Sequence, residues 1–158
     1  MKTSYLFPHK YKKIGWAIFI PFSILGLIML ITNLEPSFLD ASVPAFFVDE
    51  IFGKKSFFGI VENNLLNELV GILVIVSGLL VAFSKEKQED EFIEKIRLES
   101  LVWATFVNYG ILLLAMVLVY DISFIWVMIF NMFTILIFFI VRFNWQIQKF
   151  KKSVSYEE

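Results

Sequence analysis

Few polar side chains interrupt the long apolar segments of this 158-residue sequence, and they are the first candidates for chemistry. Glu68 is the only carboxylate within these segments. Because polar groups in hydrocarbon are costly unless they are paired, such residues are functional candidates by default. The chemistry open to Glu68 would be the binding of a proton or a cation, although an interfacial hydrogen bond or helix packing is the simpler interpretation.

Three further polar residues lie in two apolar segments that meet near Asp121. Counted from there, Asn108 lies thirteen residues back and Thr134 thirteen residues forward, with Asn131 one helical turn closer to the joint. A joint as short as Tyr120-Asp121 forces two helices into an antiparallel hairpin. The sequence therefore predicts a polar contact between the helices that includes Asn108, Asn131 and Thr134.

A different kind of candidate is the stretch from Phe83 to Ser100, which holds ten charged residues in eighteen. From Asp90 its apolar residues recur at helical spacing, and no Gly or Pro follows until after Tyr109. This pattern predicts one helix of about 30 residues that runs into the next apolar segment. The helix could dock a cytoplasmic partner, or it could be a solvated loop with topogenic charges. The candidate docking residues are Glu91, Glu94, Lys95 and Arg97.

Several kinds of chemistry lack the residues they need. The sequence has no cysteine and a single histidine, His9, which excludes thiol chemistry and bis-histidine haem ligation. The apolar segments contain no paired carboxylates, no serine with histidine and no nucleotide-binding loop. With a net charge of -1, nucleic acid is not indicated as a partner. We therefore expect a non-enzymatic protein without a cofactor or metal site.

The apolar segments themselves are long enough to be membrane spans. The sequence is 58% hydrophobic with a mean hydropathy of +0.74, and a helix needs about 20 apolar residues to cross a bilayer. Four segments satisfy this requirement: 14–32, 65–83, 101–120 and 122–141. They predict an all-α integral membrane four-helix bundle, formed by a single domain over residues 1–158.

The distribution of lysine and arginine predicts the orientation. Twelve of these residues precede the first segment, lie between the second and third (84–100), or follow the fourth (142–158), and only Lys54 and Lys55 lie elsewhere. Cytoplasmic connections carry such an excess of positive charge. Both termini are thus predicted to be cytoplasmic, in a multi-pass protein of a cell's inner membrane.

The outer loop, residues 33–64, is acidic but also rich in phenylalanine. Ser42, Pro44 and Gly53 suggest helix start and stop signals, and Ser56 could cap a second helix. The loop therefore predicts short interfacial helices that close the outer end of the bundle. A lid and simple interfacial packing remain alternative interpretations.

The run "SKEKQEDEFIEKIRLESLVWATFVNYGILLLA", together with "FPHKYKKIGW" near the start, resembles a family of small four-span bacterial inner-membrane proteins. The resemblance covers most of the chain and implies the four-span fold. It implies no activity and no site residues.

Two functional hypotheses follow. The first is a membrane sensor, anchor or regulatory subunit that engages a cytoplasmic or membrane protein through the helix at 90–100. The alternative is a small oligomeric transporter that uses Glu68. Four-span multidrug exporters have their essential carboxylate in the first span, and the segment 14–32 contains no carboxylate.

Overall fold

The computed structural model describes residues 5–32, 36–48 and 56–155. These residues form four α-helices and one β-hairpin, with a short 3-10 turn before the hairpin. The chain divides into two compact units, one made of Met1–Ile20 with Val74–Glu158 and the other of Pro21–Leu73. The single membrane domain over the whole chain stays a prediction.

Four helices contain most of the described residues. They are α1 (Lys10–Thr32), α2 (Leu66–Ala82), α3 (Glu91–Leu118) and α4 (Ile122–Ser155). Three of them, α1, α3 and α4, are long and apolar enough to cross a membrane. α2 is also apolar but has only 17 residues, at the lower limit for a span. The four predicted apolar segments therefore correspond to four helices, of which three are candidate spans by length and composition.

The prediction that the charged stretch continues into the third apolar segment is confirmed. α3 is one uninterrupted helix of 28 residues, close to 42 Å at the usual rise per residue. Its N-cap is Asp90, whose side chain accepts a hydrogen bond of 2.8 Å from the backbone N–H of Ile93. Such a cap satisfies one of the free amide groups at the helix start.

The predicted helical hairpin of α3 and α4 is also present. The two helices are separated by three residues, of which Asp121 has a φ of 59°, a left-handed conformation that aspartate tolerates in turns. Near the far end of the hairpin, the rings of Phe92 and Phe150 lie 4.5 Å apart between centroids. α4 continues to Ser155, so most of the predicted cytoplasmic tail is helical.

The predicted interfacial helices of the outer loop are wrong, because its described residues form an antiparallel β-hairpin. β1 (Asp40–Val48) pairs with β2 (Ser56–Asn64), and Phe46 lies opposite Phe58. Both strands are rich in β-branched and aromatic residues, which favour extended structure. Pro44 resembles a helix start signal, but both strands of a two-stranded ribbon are edge strands, where proline is tolerated.

Asn64 joins the base of the hairpin to the start of α2. Its side-chain amide donates to Oδ1 of Asp40 at 2.6 Å and to the carbonyl of Pro36 at 2.8 Å. Its Oδ1 accepts from the backbone N–H of Leu66 at 3.2 Å. Residues 33–35 and 49–55 of the loop, including the predicted stop signal at Gly53, lie outside the described residues.

The core of the first unit is formed by apolar side chains from several helices. Phe139 and Phe143 on α4 are almost fully buried, as are Val81 on α2 and Ala104 on α3. A Cβ atom on Gly15 of α1 would lie 2.9 Å from Cγ2 and 3.0 Å from the backbone nitrogen of Val81. α1 and α2 therefore approach so closely at this point that a side chain on Gly15 would force a shift.

Candidate functional site

The segment that connects α2 to α3 is attached to the N-terminal residues of the chain. The backbone N–H of Phe7 donates to the carbonyl of Phe83, and the N–H of Lys85 donates to the carbonyl of Phe7, each at 2.9 Å. Nδ1 of His9 lies 2.9 Å from the carbonyl oxygen of Lys85. Ser84, between these contacts, is fully buried. The connecting segment is thus a bound part of the fold and not a free solvated turn.

Two ion pairs lie beside this segment. Lys12 on α1 pairs with Glu86, and Nη2 of Arg97 on α3 lies 2.7 Å from Oε1 of Glu89. The other carboxylate oxygen of Glu89 accepts from the backbone N–H of Glu86 at 2.7 Å, which links the two pairs. All four side chains are largely shielded from solvent. We refer to Lys12, Glu86, Glu89 and Arg97 as the ion cluster.

The ion cluster also contacts α4. The ring of Phe143 is close to both cations, with its centroid 4.7 Å from Cζ of Arg97 and 5.4 Å from Nζ of Lys12. Lys12 additionally donates to Oδ1 of Asn144 at 3.3 Å. Positive charge is attracted to the face of an aromatic ring, and more strongly where water is excluded.

Arg97 makes two further hydrogen bonds at the end of α2. Its Nη1 donates to the carbonyl of Ser84 at 3.1 Å and to that of Ala82 at 3.4 Å. A buried charge is tolerated only when paired and hydrogen-bonded. The terminal nitrogens of Arg97 meet both conditions, while its Nε is buried without a partner. The cluster therefore connects α1, the segment at 83–90, α3 and α4.

The predicted docking role of Arg97 is accordingly corrected. Arg97 is only 7% exposed, because it lies on the same helical face of α3 as Ile93, Ile96 and Ser100, which are also buried. Of the other docking candidates, Glu91 and Lys95 are exposed and Glu94 is half-buried.

An exposed surface does remain on the first turns of α3. We call it the docking face. Lys95 and Glu99 form an i,i+4 pair of 4.0 Å on it, with side chains 72% and 56% exposed. Two large apolar side chains, Phe92 and Leu98, are exposed beside them. The docking face is composed of Glu91, Phe92, Lys95, Leu98 and Glu99.

The structure brings together the three polar residues for which the sequence analysis predicted a contact between the helices of the hairpin. Nδ2 of Asn108 donates to Oδ1 of Asn131 at 2.8 Å, and Oγ1 of Thr134 donates to Oδ1 of Asn108 at 2.6 Å. Asn108 is buried and the other two are half-buried. The predicted interhelical contact is present, and we refer to these residues as the amide cluster.

Glu68 belongs to the second unit, Pro21–Leu73. It lies in the first turn of α2 and is exposed. Oε1 of Glu68 accepts a hydrogen bond of 2.6 Å from the side-chain amide of Asn63, at the end of β2. A carboxylate is favoured at a helix N-terminus by the helix dipole. This placement explains the residue without a transported ion, and its transport role stays a prediction.

The ion cluster is the main feature that the sequence analysis missed. Part of the signal was available, since Arg97 follows Ile93 by four residues and precedes Ser100 by three, which places it on the apolar face of α3. The contact between Lys12 and Glu86 had no such signal, because 74 residues separate them. Within the described residues, no group of three or more His, Asp or Glu side chains could hold a metal ion.

Comparisons with protein-family models, with curated proteins and with solved structures found no match for this chain. The resemblance to small four-span bacterial membrane proteins stays an expectation from the sequence.

Proposed function

We propose that the protein is a non-enzymatic integral protein of a bacterial inner membrane and acts there as a sensor, anchor or regulatory subunit. In this proposal the docking face binds a cytoplasmic or membrane protein. The exposed docking face on a long, apolar helix is the observation that carries the proposal. A partner bound to it would act directly on a membrane span.

Four crossings are proposed, with α2 as the fourth span. Seventeen residues extend about 26 Å at the helical rise, slightly less than the hydrocarbon thickness. The apolar residues Leu65 and Phe83 flank the helix and add to the apolar length. A short span is accommodated by local thinning of the bilayer.

The proposed orientation has both termini in the cytoplasm. Support comes from the twelve Lys and Arg residues in the segments assigned to that side, against two in the outer loop. An even number of spans is required by this arrangement.

The docking face combines exposed apolar and charged side chains. Protein interfaces likewise combine an apolar centre with a polar rim. The ion cluster supports this role, because Arg97 binds the first turns of α3 to the segment at 83–90, and the cap by Asp90 stabilises the start of the helix. A rigid helix loses less conformational entropy on binding than a flexible loop.

Topology is tested first, with reporter enzymes fused after Ala45, Asp90 and Glu158. We expect external, cytoplasmic and cytoplasmic positions, in that order. A cytoplasmic reporter at Ala45 would contradict the orientation. Extraction of the wild type by alkaline carbonate would contradict the membrane assignment as a whole.

Docking is tested by co-purification after extraction in mild detergent, with the double substitution Lys95→Glu and Leu98→Ser. We expect a protein that co-purifies with the wild type to be reduced at least about tenfold, since central interface residues typically contribute this much. The matched control is Lys151→Glu, which reverses an exposed charge on α4. If the same proteins accompany both variants in equal amount, the docking face is not a binding surface.

A further inference from the structure

Arg142 lies within reach of two tryptophan rings. It follows directly after the predicted apolar segment of α4. Its Cζ lies 4.9 Å from the ring centroid of Trp103 on α3 and 5.5 Å from that of Trp145, one turn further along α4. Both rings are also partly exposed, at 39% for Trp103 and 57% for Trp145. Together these three side chains form a box that is open to the surroundings.

The guanidinium of Arg142 has no anionic partner in the part of the chain that the structure describes. It makes no hydrogen bond or ion pair with these residues, and its Nε is buried without a partner. The tryptophan rings attract its positive charge but offer it no hydrogen-bond acceptor, because the indole N–H only donates. Nε of Arg97 is also buried without a partner, but the two terminal nitrogens of Arg97 are bound to Glu89 and to two carbonyl groups.

The surroundings of Arg142 favour an external anion. α4 contains no Asp or Glu over its whole length. Trp145, Lys149 and Lys152 follow Arg142 at spacings of three, seven and ten residues, which places them on the same face of the helix. All three are exposed. The face is therefore basic and aromatic, with the unpaired guanidinium at its apolar end.

We propose that Arg142 and its tryptophan box bind the phosphate of an anionic phospholipid headgroup. Two oxygens of a phosphate match the planar donor fork of a guanidinium, which a single ammonium group cannot reproduce. Tryptophan is enriched at the level of the lipid headgroups, where its ring is buried and its N–H remains available to donate a hydrogen bond. Lys149 adds positive charge along the same face.

The position of the tryptophan box favours a lipid over free phosphate as the source of the bound phosphate group. In the proposed membrane placement, Arg142 follows the last apolar residue of a span and is level with the headgroups of the cytoplasmic leaflet. Anionic lipids concentrate negative charge there and attract basic residues next to a span. The proposal thus rests on the membrane placement but not on the docking face.

The test compares lipid binding to the whole protein in detergent micelles that contain phosphatidylglycerol or phosphatidylcholine. Bound lipid is counted by native mass spectrometry for the wild type, Arg142→Gln and Arg142→Lys. We expect Arg142→Gln to lower the affinity for phosphatidylglycerol about tenfold, with little change for phosphatidylcholine. Arg142→Lys should lose less affinity than Arg142→Gln but still bind more weakly than the wild type, since lysine keeps the charge but not the two parallel donors of the guanidinium.

The matched control is Lys151→Gln, which removes one positive charge from an exposed position about 180° around α4 from Arg142. It should leave phosphatidylglycerol binding within about twofold of the wild type. An equal loss in Lys151→Gln and Arg142→Gln would mean that only general surface charge is sensed and would overturn the site. Unchanged binding in Arg142→Gln would also overturn it.

Competition with inorganic phosphate distinguishes a lipid phosphate from free phosphate as the ligand of Arg142. Millimolar phosphate that displaces phosphatidylglycerol completely from the wild type would show that the box accepts the free anion and would overturn the lipid assignment. Because the measurement uses micelles, it does not depend on orientation, so the reporter fusions can fail while this site stands. Unfolding midpoints of the variants, measured in the same micelles, exclude a loss of folding as the cause.

Discussion

Two groups of polar side chains are buried in the same unit of this protein, and they differ in charge and in what they connect. The amide cluster is neutral and joins α3 only to α4. The ion cluster has four charged members and links three helices with the segment at 83–90. A buried amide needs one or two hydrogen-bond partners, whereas a buried charge needs an opposite charge as well.

The two clusters also differ in their distance from the ends of the apolar segments. Lys12 precedes Ile14 by two residues and Arg97 precedes Leu101 by four, while Asn108 lies well inside its segment. Charged groups are less costly near the ends of a span than in the middle. In the proposed membrane placement, the neutral group would lie deeper in the hydrocarbon than the charged group. The first unit thus uses two kinds of polar contact at two levels along its helices.

The largest expected effect comes from breaking the ion cluster with Arg97→Leu. This substitution leaves Glu89 buried without its counter-ion, and removing one partner of a buried pair typically costs about 3 kcal/mol or more. We expect a loss of that order in the free energy of unfolding, measured by denaturant titration in micelles. The Phe143 ring contact would be lost at the same time.

The control for Arg97→Leu is Lys95→Leu, which removes a cation from an exposed pair two residues away and should change the unfolding free energy by less than about 0.5 kcal/mol. The double substitution Arg97→Leu with Glu89→Leu should recover part of the loss, since no unpaired charge remains. Similar small effects at Arg97 and Lys95 would refute the importance of the ion cluster for stability.

The smaller effect is expected in the amide cluster with Asn108→Leu. It removes two interhelical hydrogen bonds, and such bonds in membrane proteins are worth about 0.6 kcal/mol each on average. A loss of about 1 kcal/mol in the free energy of unfolding should follow, in the same titration.

Thr105→Val is the matched control, because the hydroxyl of Thr105 bonds only to the carbonyl of Leu101 within the same helix. It should be almost neutral. If Asn108→Leu destabilised the protein as strongly as Arg97→Leu, the presence of charge would not explain a difference in stability between the two clusters, and the comparison between them would fail.

The helices and the amide cluster could be predicted because their signals are local. Apolar length defines each helix, and the three-residue joint at Asp121 determines that α3 and α4 run antiparallel. Once that joint is known, counting residues brings Asn108 and Thr134 to the same level. No contact between distant parts of the sequence was needed.

The β-hairpin and the ion cluster could not be predicted in the same way. Residues of β1 and β2 form strands because they pair with each other, and the spacing of Phe57, Ile60 and Val61 fits a helix equally well in isolation. Lys12 and Glu86 lie 74 residues apart in the sequence, and α1 also lies close to α2 at Gly15. Whether Arg97 is a docking residue or part of an internal ion pair is likewise decided by tertiary packing, which places it against Glu89 and the end of α2.

The apolar helices, the charge bias of their connections and the level of the amide contact follow from the sequence alone, since each depends on composition or on short spacing. Which charges are exposed and which are internal depends on how the helices pack. Arg97 and Lys95 lie two residues apart in the same charged stretch, yet one is buried against Phe143 and the other faces solvent. Burial of a charge requires an opposite charge and hydrogen-bond acceptors at the right distance, and the fold brings Glu89 and the carbonyls of Ala82 and Ser84 to Arg97 but leaves Lys95 at the surface.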